Sequence, residues 1–266
     1  MLPIGDVTPT SRRAVVVWLL TLANLAIFLA VQVPLEGCAQ QHLVYRYAAV
    51  PRELTTLAPL SAAELEGLLG SCAEGVPPKN IPLSLVTSLF LHGGLAHLLG
   101  NLLYLVVFGN NVEDRLGHAR FVLFYAVGGA AATLSYTALR PGSTVPLIGA
   151  SGAIAGVLGA YLVLHPSSRI LTLVPFPLYV FAWLLPGIRM VRWWVVFAVL
   201  TLPAWLLLGG WFVLQFNATQ TPTGDMIAYE AHVGGFLAGI LLLLVLDSWR
   251  SRHGHRPFHE RRRPRR

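Results

Sequence analysis

Residues 148 to 156 read Ile-Gly-Ala-Ser-Gly-Ala-Ile-Ala-Gly, and they place Ser151 among small residues at the start of an apolar run that ends at His165. Fourteen residues separate Ser151 from His165. That distance is about 21 Å of α-helix at about 1.5 Å per residue, whereas the hydrocarbon core of a bilayer is about 30 Å thick. A helix that ends at one membrane face therefore leaves the Ser151 hydroxyl inside the membrane, where it needs a polar partner.

The composition is that of a membrane protein with several spans. Of the 266 residues, 55% are hydrophobic and only 12% are charged, and the mean hydropathy is +0.63. Apolar runs of about 20 residues, the length of a transmembrane helix, recur along the chain. Because a span must satisfy its backbone groups internally, helices are expected. We predict an all-α fold, a polytopic membrane bundle of six transmembrane helices.

The order of apolar and polar stretches predicts three regions. A cytoplasmic segment (1–13) precedes a membrane domain (14–248), and a basic cytoplasmic tail (249–266) follows it. A long outer loop is expected over 34–80, and residues 166–192, which prolines interrupt, are interpreted as a loop lying partly in the interface. The six spans are predicted at 14–33, 95–111, 121–139, 151–165, 193–216 and 229–246.

The distribution of basic residues predicts the orientation. With the N-terminus inside, 15 of the 19 lysines and arginines fall on the inner side, eight of them in the tail. The positive-inside rule then places both termini in the cytoplasm. The net charge of +7 is explained by this distribution without a nucleic-acid partner. Cys38 and Cys72 fall in the outer loop, where a disulfide could form; two free thiols are the alternative.

Two histidines within the predicted spans, His97 and His232, fall at a similar depth to Ser151 and Asn101. Measured from the inner ends of their helices, Ser151 lies at about 21 Å and His232 at about 22 Å. Asn101 lies at about 18 Å, and His97 is one turn closer to the outer face. His97 and Asn101 are four residues apart and so share one helical face. Polar groups at this depth are costly and usually functional.

The fourth and sixth spans also carry small residues at a spacing that favours close packing. Gly152 and Gly156 are four residues apart, as are Gly235 and Gly239. Such small-xxx-small faces let two helix backbones approach closely. Close approach is what a hydrogen bond between Ser151 and His232 requires.

These residue types support nucleophilic catalysis. A serine hydroxyl is a weak nucleophile until a base removes its proton, and His232 is the candidate base. Attack on an amide creates an oxyanion that needs preorganised donors. His97, Asn101 and the backbone N–H of Ser151 are the candidates, and Gly149 lets the chain approach the substrate carbonyl closely.

Four motifs in the chain resemble those of the rhomboid family of intramembrane serine proteases, and of its bacterial six-helix type in particular. They are Gly149-Ala150-Ser151-Gly152, Ala231-His232-Val233-Gly234-Gly235, His97-Leu98-Leu99-Gly100-Asn101 and Glu113-Asp114-Arg115-Leu116-Gly117. The order and the joint presence of the four are far more specific than the GxSG motif alone, which soluble hydrolases also use.

The resemblance implies a dyad of Ser151 as nucleophile and His232 as general base, with no required aspartate. It implies hydrolysis of peptide bonds in or near the transmembrane segments of membrane proteins, through an acyl-enzyme. It also implies that water reaches the site from the outer face, that the loop at 217–228 caps the site and that the fifth span gates lateral entry. Some members have an aromatic residue where this chain has Ala155, which leaves open what orients His232.

Other functions are less well supported. The zinc motif HExxH is absent from the sequence, and His92 is interpreted as structural or as a secondary contributor near the pocket. An aspartyl intramembrane protease would need two aspartates within the membrane, but Asp225 and Asp247 lie outside the spans. A transporter is disfavoured because the sequence shows no internal two-fold repeat. The main alternative is a catalytically inactive rhomboid-like protein that binds membrane proteins or acts as their chaperone.

The expected setting follows from these predictions. We expect no cofactor and no metal. The expected partners are transmembrane protein substrates and the lipid bilayer, and the oligomeric state is left open. The expected location is a bacterial inner membrane.

Overall fold

The computed structural model describes residues 2–177, 195–220 and 227–252, and most of them are helical. The helices are α1 Val15–Ile27, continued by a π-helical turn over Phe28–Gln32, α2 Gly37–Tyr47, α3 Pro51–Thr56, α4 Ala62–Leu69, α5 Ile81–Thr87, α6 Leu95–Leu116, α7 His118–Leu139, α8 Ser151–Leu164, α9 Ala204–Gln220 and α10 Tyr229–Arg252. Three strands, β1 Leu2–Asp6, β2 Arg169–Pro177 and β3 Val195–Pro203, form one antiparallel sheet in the order β1-β2-β3.

Four of the described helices are long and apolar enough to cross a membrane, and they coincide with the predicted first, second, third and sixth spans. They run over Val15–Gln32, Leu95–Leu116, His118–Leu139 and Tyr229–Ser248. The prediction of a mostly helical membrane protein with several spans is therefore confirmed. The count of six spans stays a prediction, because α8 has only 14 residues and α9 only 17.

The predicted fifth span, 193–216, needs correction. Helix α9 begins at Ala204, and the preceding residues Val195–Pro203 form strand β3, which pairs along its length with β2. The strand is rich in β-branched residues, which favour extended structure. Pro203 lacks the N–H that a continuous helix would need. The all-α prediction therefore misses a small sheet, and most of the predicted loop 166–192 lies outside the described residues.

Helix α8 stands at the centre of the bundle. Its residues from Gly152 to Tyr161 are all buried, and it packs against α6, α7 and α10. A Cβ atom on Gly235 or Gly239 would overlap a backbone carbonyl oxygen of α8, that of Gly152 or Gly156 respectively. The prediction that glycines bring these two helices close together is confirmed, since the backbones touch where the glycines face each other.

Inner and outer denote the predicted cytoplasmic side and the opposite side. Three consecutive residues at the inner end of α6 hold three other segments. The buried Glu113 carboxylate accepts hydrogen bonds of 2.9 and 2.8 Å from two N–H groups in the first turn of α1. Asp114 accepts bonds of 3.1 and 2.9 Å from two N–H groups in the segment before α1. Arg115 pairs with Asp247 of α10 at 2.6 Å. The chain then reverses into α7 at Gly117, which has a φ of 79°.

A carboxylate of the sheet forms hydrogen bonds to two helices of the bundle. Asp6, at the end of β1, accepts a 2.7 Å hydrogen bond from the hydroxyl of Tyr161 in α8. It accepts a second bond of 2.8 Å from the side-chain amide of Asn111 in α6. The sheet therefore contacts the inner ends of the two helices whose opposite ends carry Ser151 and His97.

The outer loop has a compact core of its own. A disulfide joins Cys38 and Cys72, with 5.1 Å between their Cα atoms, which decides between the two alternatives left by the sequence. Glu53 and Lys79 form a buried ion pair, and the Lys79 ammonium lies 4.7 Å from the centre of the Tyr45 ring. Burial lowers the pKa of Lys79 and raises the pKa of the Tyr45 hydroxyl. The covalent link and the ion pair each join two parts of this loop to one another.

The α8–α10 contact predicts different effects on stability for two glycine substitutions. Gly239→Ala should lower the free energy of unfolding by about 1–3 kcal/mol, because its methyl group would meet the α8 backbone rather than a movable side chain. Gly210→Ala in α9 is the control, because nothing lies within 4 Å of its Cβ position, and it should leave stability unchanged or raised. Thermal unfolding in detergent measures both, and equal melting temperatures would contradict the packing argument.

Candidate active site

Ser151 and His232 meet where α8 and α10 begin. Ser151 is the first residue of α8, and His232 lies in the first turn of α10. The Ser151 Oγ is 2.8 Å from the His232 Nε2, a distance suited to a hydrogen bond between a nucleophile and its base. The two groups come together because the glycine contact sets the spacing of the helices and both residues lie one turn or less from a helix start.

A second pair of side chains reaches this point from the first two turns of α6. The backbone N–H of Gly93 donates to His97 Nδ1 at 3.3 Å. A neutral histidine whose Nδ1 accepts carries its proton on Nε2. A Cβ atom on Gly149 would lie 2.7 Å from His97 Nε2 and 3.7 Å from the side-chain nitrogen of Asn101. Two side-chain donors therefore lie beside the backbone that leads into Ser151.

Gly149 has the backbone conformation that this arrangement needs. Its φ is +114°, a region that side chains with a Cβ rarely adopt. Its N–H donates to the carbonyl oxygen of Ser88 at 2.9 Å, which anchors the turn before α8. The N–H of Ser151 has no acceptor within its own helix, because the first N–H groups of a helix lack one. It is thus a third donor available beside the nucleophile.

The five residues singled out from the sequence are therefore brought to one place. Asn101 is buried, with 7% of its surface exposed, and its side-chain nitrogen also donates to the His97 carbonyl oxygen at 3.1 Å. Ser151 and His232 are partly buried, while His97 is exposed. The roles of nucleophile, base and oxyanion donors stay predictions that this geometry suits.

His92 lies behind His97. Its ring is buried and its centre is 5.1 Å from the centre of the His97 ring. Its backbone N–H donates to the Gln32 side-chain oxygen and its carbonyl accepts from the Gln32 nitrogen, each at 3.0 Å. This position agrees with the interpretation of His92 as structural or as a secondary contributor near the pocket. Among the residues that the structure describes, no three His, Cys, Asp or Glu side chains are grouped so as to hold a metal ion.

Two residues of α9 contact the base and were missed from the sequence. The Nδ1 of His232 donates to the side-chain oxygen of Gln215 at 2.7 Å, and the Trp211 ring lies 6.0 Å from the imidazole, measured between centres. Ala155 is buried in the core and has no aromatic ring to pack against the base. The available signal was Gln215 itself, a polar side chain near the end of an otherwise apolar stretch. Of the loop expected to cap the site, residues 221–226 lie outside the described part.

Comparison with known proteins gives one consistent family. A family profile described as "Rhomboid domain" matches residues 80–249, which include all five site residues. "RHOMBOID-like protein 1" of Arabidopsis thaliana is 30% identical over 255 residues, covering 92% of this chain and 56% of that protein. "Rhomboid protein 1, mitochondrial" of Saccharomyces cerevisiae is 34% identical over 163 residues, 60% of this chain and 40% of that protein. "Rhomboid protease GluP" of Bacillus subtilis is 41% identical over 85 residues, 32% of this chain and 16% of that protein.

These relatives are mostly longer than the region they share with this chain. The match covers 56%, 49% and 40% of the first three curated relatives. The chain therefore spans about half the length of the relatives it matches.

The geometry predicts that Ser151 reacts with a serine-directed fluorophosphonate, because its hydroxyl has a base within hydrogen-bonding distance. Mass spectrometry of the labelled protein in detergent should find the adduct on Ser151, and Ser151→Ala should remove it. Ser135→Ala is the matched control, since that hydroxyl donates to the Ala131 carbonyl at 2.8 Å and should not be needed for labelling. An adduct that persists in Ser151→Ala would show that the reactive serine lies elsewhere.

Proposed function

The chain belongs to the rhomboid family, and from that premise we propose that it is an intramembrane serine endopeptidase. The observation that carries the proposal is the 2.8 Å contact between Ser151 Oγ and His232 Nε2. It occurs next to three hydrogen-bond donors and at the start of a helix too short to span the bilayer. A nucleophile, a base and a group of donors are the parts that acyl transfer requires.

In the proposed acylation step, the Ser151 oxygen attacks the carbonyl carbon of the scissile peptide bond. The hydroxyl proton passes to His232 Nε2 as the new C–O bond forms. The carbonyl oxygen becomes an oxyanion, which the His97 Nε2–H, the Asn101 amide and the Ser151 N–H stabilise. The C–N bond then breaks, the His232 proton passes to the leaving nitrogen, and the product is an ester on Ser151.

In the proposed deacylation step, water takes the place of the released amine. His232 removes a proton from the water as the oxygen attacks the ester carbonyl, and the same donors stabilise the second oxyanion. The C–O bond to Ser151 breaks and the proton returns from His232 to the serine oxygen. The products are a free carboxylate and the regenerated hydroxyl, so no cofactor is consumed.

The substrates we propose are transmembrane segments of other membrane proteins. The short α8 leaves space between the nucleophile and the outer membrane face, and this space suits an unwound segment and the water that hydrolysis needs. We propose the six-helix topology with α8 and α9 as the two shorter spans, both termini in the cytoplasm and, from the resemblance to the bacterial six-helix type, a bacterial inner membrane.

A catalytically inactive, rhomboid-like protein that binds or chaperones membrane proteins is the alternative. Such a function would need neither a free serine hydroxyl nor an imidazole beside it. The presence of both groups at hydrogen-bonding distance favours the protease.

Ser151→Ala and His232→Ala should each reduce cleavage of a transmembrane reporter in liposomes by about a thousandfold or more, because nucleophile and base act as a unit. Ser135→Ala should cleave at the wild-type rate. Gel analysis of the products at fixed enzyme and lipid concentrations measures all three. Wild-type turnover in either dyad variant would refute the mechanism, and a wild-type chain without activity or phosphonate labelling would favour the binding protein.

Asn101→Ala should lower kcat by about tenfold to a hundredfold, less than loss of the nucleophile, since the other two oxyanion donors remain. Asn110→Ala is the control because it removes the same side chain nine residues further along α6. Steady-state kinetics with a fluorogenic membrane substrate provide kcat and KM. Equal values for the two variants would exclude Asn101 from the site.

A further inference from the structure

The contact between Gln215 and His232 decides which nitrogen of the base carries the proton. The Gln215 side-chain oxygen lies 2.7 Å from His232 Nδ1. An amide oxygen can only accept a hydrogen bond, so Nδ1 must be the donor. In the neutral ring Nε2 then has its lone pair free, and it is Nε2 that faces Ser151 at 2.8 Å. This is the tautomer that a general base for Ser151 needs.

The same contact fixes the direction of the ring. Hydrogen bonds at Nδ1 and Nε2 hold the imidazole from its two sides, and each comes from a different helix. The Trp211 ring, 6.0 Å away between centres and tilted by 36°, limits motion on the α9 side. A methyl group at Ala155 offers no flat surface on which an imidazole could pack. The described residues therefore place both orienting groups on α9.

We propose that Gln215 is a positioning residue that holds His232 in the Nδ1–H tautomer with Nε2 directed at Ser151. The inference rests on the proposed function in that it concerns the same base. It adds a third side chain, contributed by α9, to a pair supplied by α8 and α10. Because Gln215 is neutral, it orients the base without a negative charge that would stabilise the protonated ring.

The attachment of α9 gives this role a structural consequence. Among the described residues of α9, only Ala204 and Leu208 near its start are buried. Further along, Phe212 packs on Phe236 of α10 with 4.8 Å between ring centres. The Nδ1 acceptor thus sits on the outer, more exposed half of α9. The orientation of the base depends on this half remaining packed against α10.

Two substitutions separate positioning from packing. Gln215→Met keeps the side-chain length but removes the acceptor, and it should lower kcat about tenfold to a hundredfold with little change in KM. Gln215→Glu keeps a hydrogen-bond acceptor at this position, so it should retain most of the wild-type kcat. Its carboxylate stabilises the protonated ring, so the acidic limb of the kcat–pH profile should move to higher pH. Leu214→Met, at a neighbouring residue that is 69% exposed, is the matched control and should leave both parameters and the profile unchanged.

The ¹⁵N spectrum of His232, assigned by its loss in His232→Ala, provides a measurement that does not depend on turnover. It should show the Nδ1–H tautomer in the wild type and a mixture of tautomers in Gln215→Met. Three results would each overturn the inference. They are an equal kcat for Gln215→Met and Leu214→Met, a kcat–pH profile of Gln215→Glu that is not shifted, and the same His232 tautomer in the wild type and in Gln215→Met. If the wild type itself neither cleaves nor reacts with the phosphonate, the proposed function fails, and the spectrum still decides the role of Gln215.

Discussion

The direct backbone contact between α8 and α10 is the constraint on which the site depends. Gly152, Gly156, Gly235 and Gly239 allow it, because any side chain at the last two would meet a carbonyl oxygen of α8. A hydrogen bond of 2.8 Å between short side chains tolerates little change in helix separation. Ser151 and His232 are both close to a helix start, so the spacing of the two helices sets their separation almost directly. The glycines are therefore as necessary to the site as the groups that touch.

The inner end of the bundle keeps this geometry in register. Glu113 satisfies N–H groups at the start of α1, which would otherwise lack acceptors. Arg115 joins α6 to Asp247 of α10, so the helix that carries His97 and the helix that carries His232 are tied at the ends opposite the site. Since helices are stiff along their axes, fixing their inner ends restricts how far the outer ends can separate. Polar contacts at the inner face thus support an arrangement of side chains at the outer one.

Much of the site could be predicted from the sequence because its information is local. Counting from helix ends predicted that Ser151, His232 and Asn101 share one depth, because the rise per residue of a helix is nearly constant, and the structure brings these side chains to one place. The pairing of α8 with α10 followed from the spacing of the glycines. The small sheet could not be predicted in this way, since β1 and β2 are more than 160 residues apart and an apolar stretch fits a buried strand or a span equally well. Gln215 was missed for a related reason: a lone glutamine has no periodicity, and its importance depends on which helix lies opposite.

The structure divides the candidate site into parts that are held with different strength. The spacing of Ser151 and His232 rests on backbone contacts within the buried core, where a shift would have to move two helices. The acceptor for the Nδ1 of the imidazole comes from α9, and the attachments described for the outer half of α9 are aromatic contacts and the hydrogen bond from His232 to Gln215. Packing of that kind opens at lower free energy than a buried helix pair does. The distance between nucleophile and base is therefore fixed by the fold, whereas the orientation of the base depends on how one partly exposed helix lies against its neighbour.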